Sequence, residues 1–535
     1  EESPFFPRIA AALTQVPERP PRDFFEAVQS LWLFWTFQRL AGNWSGLGRI
    51  DELLGPFLDA DLEAGRLDLG EAREILACFW IKGTEWITGR RVAGGDAQFY
   101  QNVILAGTGR DGREVCNRVT MLIFDIVEEL HISDFPLGVR LSRKSPPPLL
   151  RRVAELQSRG GGIVSIYNEE VVIAALVKFG YPEKEARDFT NDGCWETLIP
   201  GETAFSYCPF DALQVWQDVF FADCNYPDFE SLFAAYSAAL RRRLEQVCAG
   251  CSGSFNAPDR TAPTPLLSLL MPSCIRSGRP YNRRGAKYNV VALHAGGLPD
   301  VANSFTAVRK LVYEDECCTL NELRGILLRD FGGDERLRRM FERCAVWYGN
   351  DDEAADAMLA RVVSGFAAAA EFQERDGLLH PAGISTFGRE VEFAPSRLAT
   401  PFGRRAHDYL SGNLAPSPGT DRNGPGAVVK SCCRNDFTQI PNGCPLDLRF
   451  DAAALASPSG VAMLEGLLKS FIGLGGYYLQ VDAVSREMLV DAKAHPERYP
   501  NLAVRISGWS ARFATLETAW QDMVIARSIQ GAEAG

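Results

Sequence analysis

The chain has 535 residues, 46% of them hydrophobic and 23% charged, which are the proportions of an ordinary globular protein and exclude disordered, collagenous and coiled-coil classes. Its 56 Lys and Arg against 68 Asp and Glu leave a formal charge of −12 with no basic block, so nucleic acid and anionic membrane are poor partners and a small molecule or another protein is the better expectation. Length alone gives three or four domains at ~150 residues each, unless the chain builds one large α/β barrel.

Taken in chain order, the first elements are helical. A helix opens at Asp23, and its most apolar stretch, 28–37, is too short for a membrane span and is interrupted by Gln29 and Ser30. Further amphipathic helices are expected at 51–58 and 71–87, then at 183–189, 229–247, 320–330, 351–372 and 461–472. Between them lie short β-rich runs at 102–105, 137–140, 163–166, 288–291, 383–386, 446–449 and 477–481, each next to a turn or a glycine. Strands alternating with helices predict an α/β layout around a largely buried sheet. The Gly/Pro/Asn-rich stretch 411–425 reads as a long loop of the kind that is commonly functional.

No basic region opens the chain as in a secretory leader, and the missing initiator Met suggests a start inside a longer product. Fourteen Cys without a secretory segment favour a reducing cytosol. The sequence shows no P-loop, dinucleotide fingerprint or HExxH, and its five His are scattered, so no metal site is expected.

Two short segments carry chemistry. In Asn191-Asp192-Gly193-Cys194-Trp195-Glu196, a thiol stands two residues from a carboxylate, and on extended backbone the two face the same way. By itself the segment fits a buried cysteine beside a surface glutamate better. In 504–513, Gly508 interrupts a run of β-branched and aromatic residues, which by itself also fits a β-bulge or tight turn. A radical on a glycine Cα, however, is delocalised over both flanking amides, and without a side chain the centre can become planar.

Together these segments resemble the glycyl radical enzymes. RISGWSARF (505–513) is similar to the family's radical loop and NDGCWE (191–196) to its thiyl-cysteine motif. The resemblance is collinear over nearly the whole chain. It runs through GRIDELLGPFLDADLEAG (48–65), GRDGREVCN (109–117), IYNEEVVIAAL (166–176), RGAKYN (284–289) and LPDVANSFTAVRKLVYE (298–314). It continues through YGNDD (348–352), TPFGRRA (400–406), PSPGTDRNGPGAVVKS (416–431) and HPERYPNLAVRISGW (495–509).

The resemblance implies a ten-stranded α/β barrel of two half-barrels, helices outside, with interior finger loops carrying Cys194 and Gly508. It implies a barrel domain over 1–485 and a glycine radical domain over 486–535, with part of the usual N-terminal region lacking. No bound cofactor is expected. Gly508 stores a radical installed by an iron–sulfur, S-adenosylmethionine-dependent activating enzyme, Cys194 becomes the thiyl, and Glu196 is the general base. A small-molecule substrate, a homodimer and an anaerobic cytoplasm are implied as well. Trp195 follows Cys194 where pyruvate formate-lyase has a second cysteine, so the implied chemistry is radical elimination by a dehydratase or other C–X lyase. Decarboxylation of an arylacetate is the alternative, and a non-catalytic remnant a third. Tyr207-Cys208 stand where small-diol dehydratases keep a His-Asp pair. Trp195, Phe205 and Tyr207 are therefore the expected substrate contacts, to a bulkier or more apolar molecule. Trp509, in place of the family's usual Tyr, has no role at this level.

Overall fold

The computed structural model describes residues 6–41, 46–86, 90–95, 101–255, 264–370, 374–375 and 377–528. Four helices lead, the short Phe6–Leu13 followed by α1 (Phe24–Leu40), α2 (Ile50–Glu63) and α3 (Leu69–Lys82). Asp23 and Asp68 cap α1 and α3 by accepting from Glu26 N and Glu71 N, which satisfies backbone donors that a first helical turn leaves free. An alternating series follows: β1 (Val103–Ala106), α4 (Arg118–Leu130), β2 (Leu137–Leu141), α5 (Pro147–Ser158), β3 (Val164–Asn168) and α6 (Glu169–Phe179). A small hairpin, β4 (Thr190–Asn191) and β5 (Thr197–Leu198), precedes β6 (Thr203–Asp211), α7 (Ala212–Phe220) and α8 (Phe229–Phe255). Then come β7 (Tyr288–Gly296), α9 (Leu298–Val308), α10 (Glu353–Ala369) and β8 (Ala382–Ile384). The last part holds β9 (Pro445–Phe450), α11 (Pro458–Leu474), β10 (Tyr478–Ala483), a second hairpin of β11 (Ala503–Arg505) and β12 (Ser510–Arg512), and α12 (Thr518–Arg527).

One five-stranded sheet has the order β1-β2-β3-β10-β9. Its pairs are parallel except β3 with β10, which run antiparallel with Tyr167 opposite Tyr478. The second five-stranded sheet centres on β7, which pairs in parallel with β6 on one side and β8 on the other. Backbone bonds carry one sheet towards the other: Asn442 N donates to Ala382 O at 2.9 Å and Ile384 N to Gly443 O at 2.9 Å, just before β9 begins. Every residue of β1, β2 and β3 is buried, as in a sheet covered on both faces. Helices α5 and α11 pack together on the outside of the first sheet, and α7, α8, α9 and α10 pack around one another beside the second.

All seven expected strands exist, within a residue or two at their starts, although β7 runs five residues further than expected. The expected helix 183–189 is reduced to the single turn Glu183–Ala186. Residue 87 and residues 371–372 of two expected helices lie outside the described residues. Strand β6 was not expected, because Pro209 sits inside it. The other side of β6 has no strand partner among the described residues, and an edge strand tolerates a proline that a central strand does not. Cys208 is disulfide-bonded. Among the described residues no helix is long and apolar enough to cross a membrane.

Candidate active site

Strands β11 and β12 form a hairpin closed by Ile506 N donating to Trp509 O at 2.9 Å, with Ser507 and Gly508 as its two central residues. Gly508 has φ +91°, the third position of a turn that strongly favours glycine. A Cβ there would overlap Cys194 Cβ and Sγ and lie 2.7 Å from Cys194 Cα. With a carbon–carbon bond of ~1.5 Å, Cys194 Sγ is therefore within roughly 4 Å of Gly508 Cα. The two residues singled out in sequence, 314 positions apart, are thus packed against each other in the interior, Cys194 only 4% exposed.

Three sets of bonds fix the Gly508 hairpin. The Arg505 guanidinium donates to Gly162 O at 3.0 Å and to Tyr478 Oη at 2.8 Å, while Ser510 Oγ donates to Gly162 O at 3.1 Å. Arg527 Nη1, from α12, donates to Ile506 O at 2.6 Å. The Trp509 indole donates to Gly94 O at 2.9 Å and its ring packs 6.3 Å from that of Trp520. This gives Trp509 a role: it ties the turn to segment 92–95, which itself bonds to Thr515 O through Val92 N.

Cys194 sits in the turn between β4 and β5, held by Asp192 N donating to Glu196 O and Asn191 Nδ2 to Cys194 O. Glu196 folds back on the same turn, its Oε2 accepting from Cys194 N at 2.8 Å and Trp195 N at 2.9 Å. Burial pushes the Cys194 thiol well above its ordinary range; the Glu196 charge adds to this and Arg505 opposes it. The sulfur therefore keeps its hydrogen, which a hydrogen-atom donor needs and a thiolate lacks. Burial also raises Glu196, against the two N–H bonds that favour its charge. Half-buried Asp192 is pushed up to about 8, by burial of its carboxyl first and the Glu196 charge second. The Glu196 charge thus disfavours ionisation of Asp192.

Aromatic rings wall the site. Trp195 is fully buried and stacks on Phe387 at 5.4 Å, and Phe387 meets Tyr207 at 4.5 Å and His294 at 4.8 Å. Half-buried Tyr207 lies near enough to feel the Glu196 and Cys194 charges, which add to burial in raising its phenol. Phe205 is one pair further along β6, 6.3 Å from Tyr207, with its N–H on Tyr281 Oη. The structure thus brings Trp195 and Tyr207 to one ring, Phe387, and leaves Phe205 farther out. Among the described residues, Tyr167 Oη, Trp195 Nε1 and Ser507 Oγ are buried without a hydrogen-bond partner.

Tyr167, Phe387 and His294 were not among the expected site residues. Tyr167 lies inside a matched motif, IYNEE, but nothing local marks its ring as pointing inward. Phe387 carries a conformational mark, φ +53°, uncommon for a bulky residue, that only the folded backbone displays.

The pyruvate formate lyase-like family model matches residues 6–213 and 211–394, and the glycine radical model matches 410–514. The chain belongs to this family of glycyl radical enzymes, and its fold is the family's α/β barrel. It is 26% identical to the trans-4-hydroxy-L-proline dehydratase of Clostridioides difficile, over 98% of this chain and 69% of that one. It is 28% identical to the isethionate sulfite-lyase of Nitratidesulfovibrio vulgaris, over 97% of this chain and 66% of that one. A solved structure describing 1,2-propanediol dehydration in Roseburia inulinivorans superposes with a TM-score of 0.91 at 28% identity, covering 97% of this chain and 69% of that one. The chain thus spans about two thirds of the length of these relatives.

Proposed function

We propose that the chain is a glycyl radical lyase that eliminates water or another leaving group from a small organic substrate. The observation that carries this is the contact of Gly508 with Cys194 inside a site that also holds Glu196. A Gly508 Cα radical takes the hydrogen atom of the Cys194 thiol, and the thiyl takes one from a substrate carbon bearing a hydroxyl or amine. Glu196 then accepts the proton of that group and, where the leaving group is a hydroxyl, passes it on so that water departs; the Cys194 thiol returns a hydrogen atom to the product radical, and the thiyl so formed regains one from Gly508. The relatives named as a dehydratase and a sulfite-lyase support elimination. The apolar wall of Trp195, Tyr207 and Phe387 supports a substrate with an apolar part and keeps the second reading, arylacetate decarboxylation, in view. Tyr167 Oη is a buried donor available to a substrate oxygen. Water exclusion protects the radical, and the reading includes a radical S-adenosylmethionine activating enzyme, an anaerobic cytoplasm and a homodimer.

The test is turnover after anaerobic activation. A panel of trans-4-hydroxyproline, isethionate, 1,2-propanediol and an arylacetate is offered, with products identified by mass spectrometry. Elimination predicts loss of water or sulfite without carbon dioxide, and a Cys194→Ser variant that keeps the radical signal but forms no product. Carbon dioxide as the product would replace elimination by decarboxylation.

A further inference from the structure

We propose that His294 is a positioning residue that holds the Cys194 hairpin at its working distance from Gly508. The inference rests on the radical reading above and deepens it.

His294 lies on β7, fully buried, directly opposite Gly383 of β8. A Cβ at 383 would stand 2.6 Å from both ring nitrogens, so the glycine is what admits the imidazole. Both nitrogens are used: Nδ1 is 2.8 Å from Ser385 Oγ and Nε2 is 2.8 Å from Asn442 Oδ1. Asn442 Nδ2 donates to Thr197 O at 3.0 Å, which leaves Oδ1 to face the ring. An amide oxygen only accepts, so Nε2 carries the proton and Nδ1 accepts from the Ser385 hydroxyl. Burial lowers the imidazole to about 4, which keeps it neutral and suited to this one-way chain of bonds.

The chain ends on the Cys194 hairpin. Thr197 follows Glu196 directly, and its Oγ1 also donates to Pro441 O at 2.6 Å. Gly443, the residue after Asn442, packs so closely on Trp195 that a Cβ there would lie 2.9 Å from Trp195 O. A second route is apolar, from the His294 ring to Phe387 and from Phe387 to Trp195. The Gly508 hairpin is held by different partners, Gly94, Gly162, Tyr478 and Arg527, and none of those bonds passes through His294. Loosening His294 therefore moves the sulfur side of the gap and leaves the glycine side in place.

The readout needs no substrate. In transfer one hydrogen atom leaves the thiol for the Gly508 radical, forming Cα–H and a thiyl, and the reverse step restores both. No electron enters or leaves. In D2O the thiol becomes S–D, so repeated transfer replaces the glycine hydrogen by deuterium and collapses the radical's doublet to a singlet. His294→Asn reaches Ser385 but is too short for Asn442, whereas His294→Gln places its amide where Nε2 stands. After anaerobic activation the wild-type doublet should collapse and that of Cys194→Ser should persist. Collapse in His294→Asn should be slowed roughly ten- to a hundredfold at unchanged radical yield, the scale expected of a displacement of about 1 Å. His294→Gln should restore it to within a few-fold of wild type. Asn442→Ala should behave as His294→Asn does, and carries the test if the latter fails to fold. Collapse at the wild-type rate in folded His294→Asn or Asn442→Ala overturns the positioning role alone. A persistent wild-type doublet, or one that collapses equally fast in Cys194→Ser, overturns the radical reading and this inference with it.

Discussion

Glu196 is buried to 1% exposure yet accepts two backbone N–H bonds from its own turn, so its environment pulls in both directions. Burial raises the carboxyl while the backbone N–H bonds favour its charged form, the state a general base needs before it takes a proton. Glu196→Gln keeps the shape but accepts no proton. It should still form the Gly508 radical while losing on the order of 10²–10⁴ in rate, and parent-rate turnover would refute the base assignment. His294 carries a pH prediction. Its folded value of about 4 lies below the unfolded 6.5, so between these the unfolded chain holds the extra proton. The stability this group contributes is complete above pH 6.5 and is lost as pH falls towards 4, about 3 kcal/mol in all. Urea unfolding of His294→Gln should show a correspondingly flatter decline over that window than the wild type, and an identical decline would contradict it.

Among elements, the two hairpins are short, but each is clamped by groups far away in sequence. Their signals differed in legibility. Gly508 and Cys194 stand in motifs that resemble the family's collinearly over nearly the whole chain, so both were visible before folding. Strand β6 was hidden by Pro209, and His294 looked like one of five scattered histidines because its partners, Ser385 and Asn442, come from other elements. Trp509 had no reading from sequence for the same reason: its acceptor, Gly94 O, lies 415 positions away. Trp509→Phe removes that donor and leaves a carbonyl unpaired, at a cost of ~1–2 kcal/mol. Amide hydrogen exchange across 503–512 should then quicken by about tenfold while β1–β3 stay protected, since local opening of one hairpin does not unfold the rest. Unchanged exchange in the hairpin would show that the indole is not its anchor.

At the scale of the molecule, the α/β layout was legible because buried strands and amphipathic helices alternate along the chain. The succession of the sheets was not. It depends on β3 meeting β10 across more than 300 residues and on Asn442–Gly443 reaching β8, contacts with no local periodicity. That succession brings two distant loops together in the interior, and the account stands or falls with a radical there. The most direct measurement is electron paramagnetic resonance of the anaerobically activated Cys194→Ser protein, whose glycine hydrogen cannot exchange with water through the thiol, prepared once with ordinary glycine and once with glycine deuterated at the α-carbon. A radical at Gly508 predicts a doublet in the first sample that becomes a singlet in the second and disappears in Gly508→Ala. A signal that ignores the isotope, or survives in Gly508→Ala, would contradict it.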